Sequence, residues 1–240
     1  MAARMQQLPL GIRLADRAVF ATFLPARNAE AVQHLRRAAG GAPGVSWLAG
    51  PAASGKSHLL QATCAAAFER GPAGYLPLAG LATLGPEALE GLSGLTCLCL
   101  DDLQAVVGRP DWERALFGVY QELEERAAVL VAAAPEPPAL LPWALPDLGS
   151  RFAAAAVFQL RPLDEAGQSQ ALQLRAGVRG LELPEETARW LLRRFPRDMG
   201  TLYRLLDTLD EAALAARRRL TVPFIRSVLR EGSTPGGGES

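Results

Sequence analysis

Lysine is almost missing from this 240-residue chain: of twenty-five basic side chains only Lys56 is a lysine, and the rest are arginine. Cysteine is scarce as well. Cys64, Cys97 and Cys99 fall in apolar runs, with no C-x-x-C pair and no metal spacing. That excludes a disulfide scaffold or a zinc module, and leads us to expect reduced, buried thiols in a cytoplasmic protein. No stretch of eighteen apolar residues free of Gly, Pro or charge occurs, and no signal peptide precedes the fold, so no membrane span is expected. Net charge is absent too, with 25 basic residues against 25 acidic ones. Zero charge argues against a broad electrostatic footprint on DNA, although a local patch stays open. What is present is a 49% hydrophobic composition, enough for one core with a small helical appendage.

The solitary lysine lies in GPAASGKS at 50–57, which fits G-x-x-x-x-G-K-[ST] without a mismatch. It follows a strand-like run at 45–49 and opens a helical run at 57–70, the context a phosphate-binding loop requires. In that reading the backbone of Gly50, Pro51, Ala52, Ala53, Ser54 and Gly55 and the helix N-terminus cradle phosphate oxygens. Lys56 bridges the outer phosphates of ATP or ADP, and Ser57 offers its hydroxyl to Mg²⁺. His58 follows directly and is counted with the loop as a nucleotide contact. Neither it nor His34 has partners at metal or triad spacing, so in that chemistry both read as structural. The plainer alternative for the motif is a glycine-rich turn before an ordinary helix. A second element supports the sharper one: LTCLCLDD at 95–102 is an apolar strand ending in two carboxylates. In phosphate-loop proteins such a position holds the magnesium, which makes Asp101 a metal candidate beside Ser57. Asp102 comes next, where ATPases usually carry a water-orienting glutamate, and is a catalytic candidate.

Residues 1–19 lack periodicity and read as an extended arm. Helical spacing over 29–39 makes Asn28 a plausible N-cap. Strand runs at 45–49, 74–78, 95–100, 128–133 and 157–160 then alternate with helices at 57–70 and 112–126. The alternation and the continuous apolar runs predict an α/β fold over 20–161, a doubly wound parallel sheet. After Arg161 and Pro162 only helices follow, at 164–178, 184–195, 199–218 and 222–230, giving a small all-α lid over 162–231. Pro184 and Pro223 suit first-turn positions. The third of these helices carries Leu202, Leu205, Leu206 and Leu209 along one face. The arginine run at 217–219 reads as a solvated helix end, and the Gly-rich tail at 232–240 as disordered.

LCLDDLQ at 98–104, ALPDLGSRF at 144–152 and the lid together resemble the AAA+ module of the bacterial replication initiator DnaA. The chain ends soon after the lid, without a helix-turn-helix DNA-binding domain. It therefore looks more like the Hda family, the shorter DnaA homologues that drive regulatory inactivation of the initiator. Supporting stretches are QLPLGI at 7–12, FATFLPARN at 20–28, YLPL at 75–78, ALQLRAGVRGLELPEETARWLLRR at 171–194 and LDTLDEAALAARRRLTVPFIRSVL at 206–229.

The resemblance spans residues 7 to about 230. It implies that Gln7, Leu8, Leu10 and Ile12 bind the DNA polymerase III sliding clamp (beta). A glutamine amide with spaced aliphatics suits a hydrophobic pocket, though a leader or edge strand would look similar. Phe20, Phe23 and Asn28 match the segment that closes over the base; ordinary packing and capping are the alternative. Arg151 matches the arginine finger that acts in trans, here on ATP held by DnaA, where the bland reading is a surface ion pair. Two departures stand out. Ala132, Ala133, Ala134 and Pro135 occupy the place of a polar sensor of the γ-phosphate. Gly200 replaces a second sensor arginine, with Arg197 nearby but off register. Such a site holds nucleotide well and hydrolyses it weakly at most. The implied function is stimulation of ATP hydrolysis by DnaA at the clamp, which prevents re-initiation. The competing reading is a self-sufficient AAA+ ATPase such as a helicase loader, with a homo-oligomer left open. Sequence-specific DNA binding is disfavoured.

Overall fold

In the computed structural model residues 18–195, 199–216 and 220–231 are described. The arm with Gln7, Leu8, Leu10 and Ile12, residue Arg197, the 217–219 run and the 232–240 tail lie outside them.

Five strands form one parallel sheet: β1 (Gly44–Ala49), β2 (Ala73–Pro77), β3 (Cys97–Asp101), β4 (Val129–Ala134) and β5 (Ala156–Gln159). Their order is β2-β3-β4-β1-β5, so after β1 the chain crosses to the far edge at β2, returns through β3 and β4 to lie beside β1, and adds β5 on the other side. This is the doubly wound sheet expected from the alternation. Helices α1 (Ala29–Ala39), α2 (Lys56–Phe68), α3 (Leu78–Leu81), α4 (Pro110–Glu125) and α5 (Pro146–Ala153) accompany it. Every residue of β3 and β4 is buried, as a sheet covered on both faces demands. Edge strand β5 alternates instead and leaves Val157 exposed.

The two-residue period of a strand divides its side chains between two cores. Leu98 and Leu100 join Trp47, Trp112, Leu116 and Phe152 on one face. Cys97 and Cys99 join Leu35, Leu59, Leu60 and Cys64 on the other. All three cysteines are buried and free. Burial pushes the Cys64 thiol up to about 12, which leaves little reactive thiolate.

Element ends moved where local chemistry competed with periodicity. Strand β3 starts two residues later than expected because residues 92–94 form a 3-10 turn. Helix α4 starts earlier, with Pro110 in its first turn. Pro184 caps its helix from outside rather than opening it. Asn28 is no side-chain cap. Its amide nitrogen donates to the Arg161 carbonyl at 2.9 Å, and its oxygen accepts from the Arg161 N–H at 2.9 Å. A tertiary clamp therefore displaces the local capping bond.

Buried Glu113 performs a comparable task on α4. Its carboxylate accepts from the N–H groups of Gly108 (2.6 Å), Ala144 (3.1 Å) and Leu145 (2.5 Å). It thus ties the loop beyond β3 to the start of α5.

Beyond β5 come α6 (Glu165–Val178), α7 (Glu185–Arg194), α8 (Met199–Ala216) and α9 (Val222–Glu231). Asp164 caps α6 by accepting from the Gly167 N–H at 2.8 Å. These helices bury their own cluster, including Leu172, Leu191, Leu202, Leu206, Leu209 and Ile225. Leu205 lies only at its margin. Among the described residues no helix is long and apolar enough to cross a membrane.

Candidate nucleotide-binding site

At the C-terminal end of β1 the chain turns sharply into α2, and the Gly50 N–H donates to the Pro135 carbonyl at 3.0 Å. Close approach explains both motif glycines. A Cβ on Gly50 would lie 2.8 Å from Ser54 Oγ and 2.9 Å from the Leu160 carbonyl oxygen. A Cβ on Gly55 would meet the Phe23 ring at 2.7 Å, and Gly55 has φ +95°, a conformation that favours glycine. Lys56 is the first helical residue, and its Nζ donates to the carbonyls of Gly50 (2.6 Å) and Pro51 (2.9 Å). Burial lowers its pKa, while the carboxylates of Asp101 and Asp102 pull it back up. Ser54 Oγ is buried with no hydrogen-bond partner among the described residues. An unmatched hydroxyl in a ring of backbone donors suits an anionic oxygen.

Asp101 ends β3 behind Ser57, whose hydroxyl it binds. It also accepts from Tyr75 OH at 2.8 Å and from the Asp102 N–H at 3.0 Å. Burial still holds its carboxyl above the ordinary aspartate value of 3.8. Asp102 has φ +54°, which turns the chain out of the strand toward the cavity, where its carboxylate accepts from the Gln104 amide at 3.1 Å. The fold thus gathers Lys56, Ser57, Asp101 and Asp102 at one point, as their spacing predicts.

Above the loop is a cavity of about 640 Å³. One wall is the loop and α2 from Ala52 to His58; a second contains Ala18, Phe23, Leu24 and Asn28. The third is helical apart from Leu163, which precedes α6, and includes Arg175 of α6 with Gly200, Tyr203, Arg204 and Asp207 of α8. Phe20 is not in the lining, contrary to its expected place over the base. It packs against the α1 side, where the Arg36 guanidinium lies 5.3 Å from its ring centroid. Asn28 lines the cavity, but with both amide atoms engaged by Arg161 it forms wall rather than a free reader of a base. His58 is similarly engaged. Its Nε2 lies 3.0 Å from the Val19 carbonyl and 3.3 Å from Thr22 Oγ1. A carbonyl only accepts, so Nε2 carries the hydrogen. Burial lowers its pKa, the Val19 bond raises it and Arg175 lowers it again.

The helical wall is what the sequence did not disclose. The Arg175 guanidinium lies 4.2 Å from the Tyr203 ring centroid and 3.7 Å from Asp207, which Arg179 also binds. Burial drives the Tyr203 hydroxyl up to about 12, against the pull of Arg175. Arg204 is exposed and folds back one turn, donating to Thr201 Oγ1 at 3.0 Å. Gly200 does face the cavity, and Arg204 lies four residues on, one helical turn along the same face. That spacing was the signal available. The end of β4 adds no polar side chain, being apolar through Ala134.

Arg151 lies elsewhere. It projects from α5 onto α4, with Nη1 2.5 Å from Glu124 Oε2 and its guanidinium 5.3 and 5.4 Å from the Phe117 and Tyr120 ring centroids. It lines a separate hollow of about 430 Å³ with Pro43, Gly44 and Val45, at the start of β1. The loop leaves from the other end of that strand, whose six residues span roughly 20 Å. The arginine therefore stands apart from its own chain's cavity.

The fold is that of domain III of the Thermotoga maritima replication initiation protein DnaA, with a TM-score of 0.69 and 20% identity over 92% of this chain and 98% of that one. Residues 164–229 match the family model of the Hda lid domain. Over those residues the chain is Hda-like, and the rest of it shares the AAA+ fold of DnaA. AMPPCP-bound DnaA from Aquifex aeolicus is similar with a TM-score of 0.66 and 21% identity, over 81% of this chain and 66% of that one. The Orc1 protein of Aeropyrum pernix, in complex with DNA, aligns with a TM-score of 0.61 and 17% identity over 91% and 68%. At these identities the structural likeness is one of AAA+ fold, and the likeness to Hda is that of the lid at 164–229.

Proposed function

We propose that this chain is a nucleotide-holding regulator that stimulates ATP hydrolysis by DnaA while tethered to the sliding clamp. The observation that carries this reading is the separation of Lys56 from Arg151 at opposite ends of β1. A cation placed there serves phosphates held by another subunit, where such a finger is worth ~10³–10⁵ in rate. ADP or ATP would occupy the chain's own cavity, with its phosphates on the loop amides, Ser54 Oγ and Lys56. Ser57 and Asp101 would hold Mg²⁺, which when bound neutralises phosphate charge. They supply only two protein oxygens, in keeping with a cation that relies on phosphates and water for the rest. The apolar end of β4 gives nothing to polarise a γ-phosphate, and Gly200 leaves its sensing to the exposed Arg204 one turn on, so intrinsic turnover is weak. Clamp binding through Gln7, Leu8, Leu10 and Ile12 raises the effective concentration of Arg151 near the replication fork. The setting is the bacterial cytoplasm.

Hydrolysis measured with this chain alone, with DnaA, and with DnaA plus clamp on DNA tests the proposal. We expect turnover only in the complete mixture, and Arg151→Ala should remove it while nucleotide affinity stays unchanged. Rapid turnover by the chain alone would point instead to a self-sufficient ATPase.

A further inference from the structure

We propose that His58 is a positioning residue of the nucleotide site, holding the turn at residues 19–23 as the wall beside a bound nucleoside. This rests on the reading of the cavity as a nucleotide site and assigns His58 a task within it.

His58 sits two residues after Lys56 on α2, so its ring is fixed to the element that forms the phosphate end of the cavity. Its Nε2 reaches the turn, 3.0 Å from the Val19 carbonyl and 3.3 Å from Thr22 Oγ1. The turn is closed by its own bonds: Thr22 Oγ1 donates to the Val19 carbonyl at 2.9 Å, and the Thr22 N–H donates to the same oxygen at 3.1 Å. The imidazole thus grips the one carbonyl around which the turn is built. Phe23, the next residue, lies over Gly55, and its ring meets the His58 ring edge-on with centroids 5.3 Å apart. Tyr203 of α8 also meets the His58 ring edge-on, with centroids 6.5 Å apart. One side chain therefore joins the phosphate-loop helix, the 19–23 turn and the helical wall.

The two ends of the cavity depend on this grip differently. The phosphate end consists of backbone amides, Lys56 and Ser57, all within the loop and α2. Away from it stand Ala18, Phe23, Leu24 and Leu163, with the Asn28 amide already engaged. That end offers shape and apolar contact, which require the turn to stay closed. Loss of the imidazole should weaken ligands that carry a nucleoside and spare those that are only phosphate.

The test is calorimetry on the full chain with two probes, Mg·ADP and Mg·pyrophosphate. His58→Ala should reduce ADP affinity about tenfold, the scale of one lost hydrogen bond, and leave pyrophosphate affinity unchanged. His58→Gln, which returns an N–H donor at similar reach, should recover most of the loss. Thr22→Val, altering the turn and not α2, should give a smaller loss of the same kind, and decides the matter if His58→Ala does not fold. Equal losses for both probes, or none for ADP, would overturn the proposal. Undiminished binding of both probes by Lys56→Ala would instead remove the nucleotide reading itself.

Discussion

The loop wall and the helical wall of the cavity are built by different means. From Gly50 to His58 the loop and the start of α2 are one contiguous stretch whose shape is set by the backbone: left-handed Gly55, the α2 N-terminus and two glycines squeezed by Phe23 and Leu160, with Lys56 as the one charged side chain it carries. The helical wall is assembled from separated residues of α6 and α8, and its chemistry belongs to side chains, above all Asp207 between Arg175 and Arg179. A backbone-made site tolerates little substitution and changes shape little. A side-chain-made site can be retuned one residue at a time, as an arginine at 204 beside a glycine at 200 illustrates.

The largest expected effect falls on the loop wall. Lys56→Ala should lower Mg·ADP affinity by about a hundredfold or more, as removal of a charged phosphate contact does, measured by calorimetry. Gly55→Ala should follow. With φ +95° and a Cβ 2.7 Å from the Phe23 ring, it should cost about 1–3 kcal/mol in denaturant unfolding and displace Phe23 from the cavity. On the helical wall, Asp207→Ala leaves buried Arg175 without that carboxylate and should cost about 2 kcal/mol of stability, with nucleotide affinity changing less than in Lys56→Ala. Should Asp207→Ala abolish binding outright, the contrast between the walls fails. Arg204→Ala should weaken Mg·ATP by roughly tenfold and Mg·ADP by less, because an exposed cation reaches the outer phosphate first. Equal effects on both nucleotides would place Arg204 outside the phosphate field.

The smallest effect is a pH dependence that sharpens the loop wall. Burial raises the Asp101 pKa in the folded chain, so stability from its neutral form is present below 3.8 and fades as pH rises through the raised value. A magnesium ligand must be ionised, so the magnesium-dependent part of ADP affinity should increase over that same interval. Titrations with and without Mg²⁺ at several acidic pH values would show it, and Asp101→Asn should flatten the slope.

The same contrast explains what could be read from the amino-acid order. That Lys56, Ser57 and Asp101 converge was legible because a loop and a strand end carry their geometry in adjacent residues. The sheet was legible because apolar runs alternate with helical spacing. The place of Arg175, Tyr203 and Asp207 in the cavity lining was not, since it depends on which faces of α6 and α8 turn toward α2. Asn28 misled for a related reason: local capping chemistry and a clamp on Arg161, 133 residues away, ask for the same side chain. Phe20 and Phe23 look equivalent in sequence, yet the 3-10 turn between them sends one to α1 and the other over Gly55.

The turn at residues 19–23 also sets how force enters the molecule. Tension applied to the chain ahead of Ala18 would be borne first by the Val19 carbonyl on His58 and the Phe23 ring on Gly55, before any strand is loaded. On the proposed nucleotide reading, a filled pocket would stiffen that first anchorage, and a tug on the leading residues would loosen the grip on the occupant.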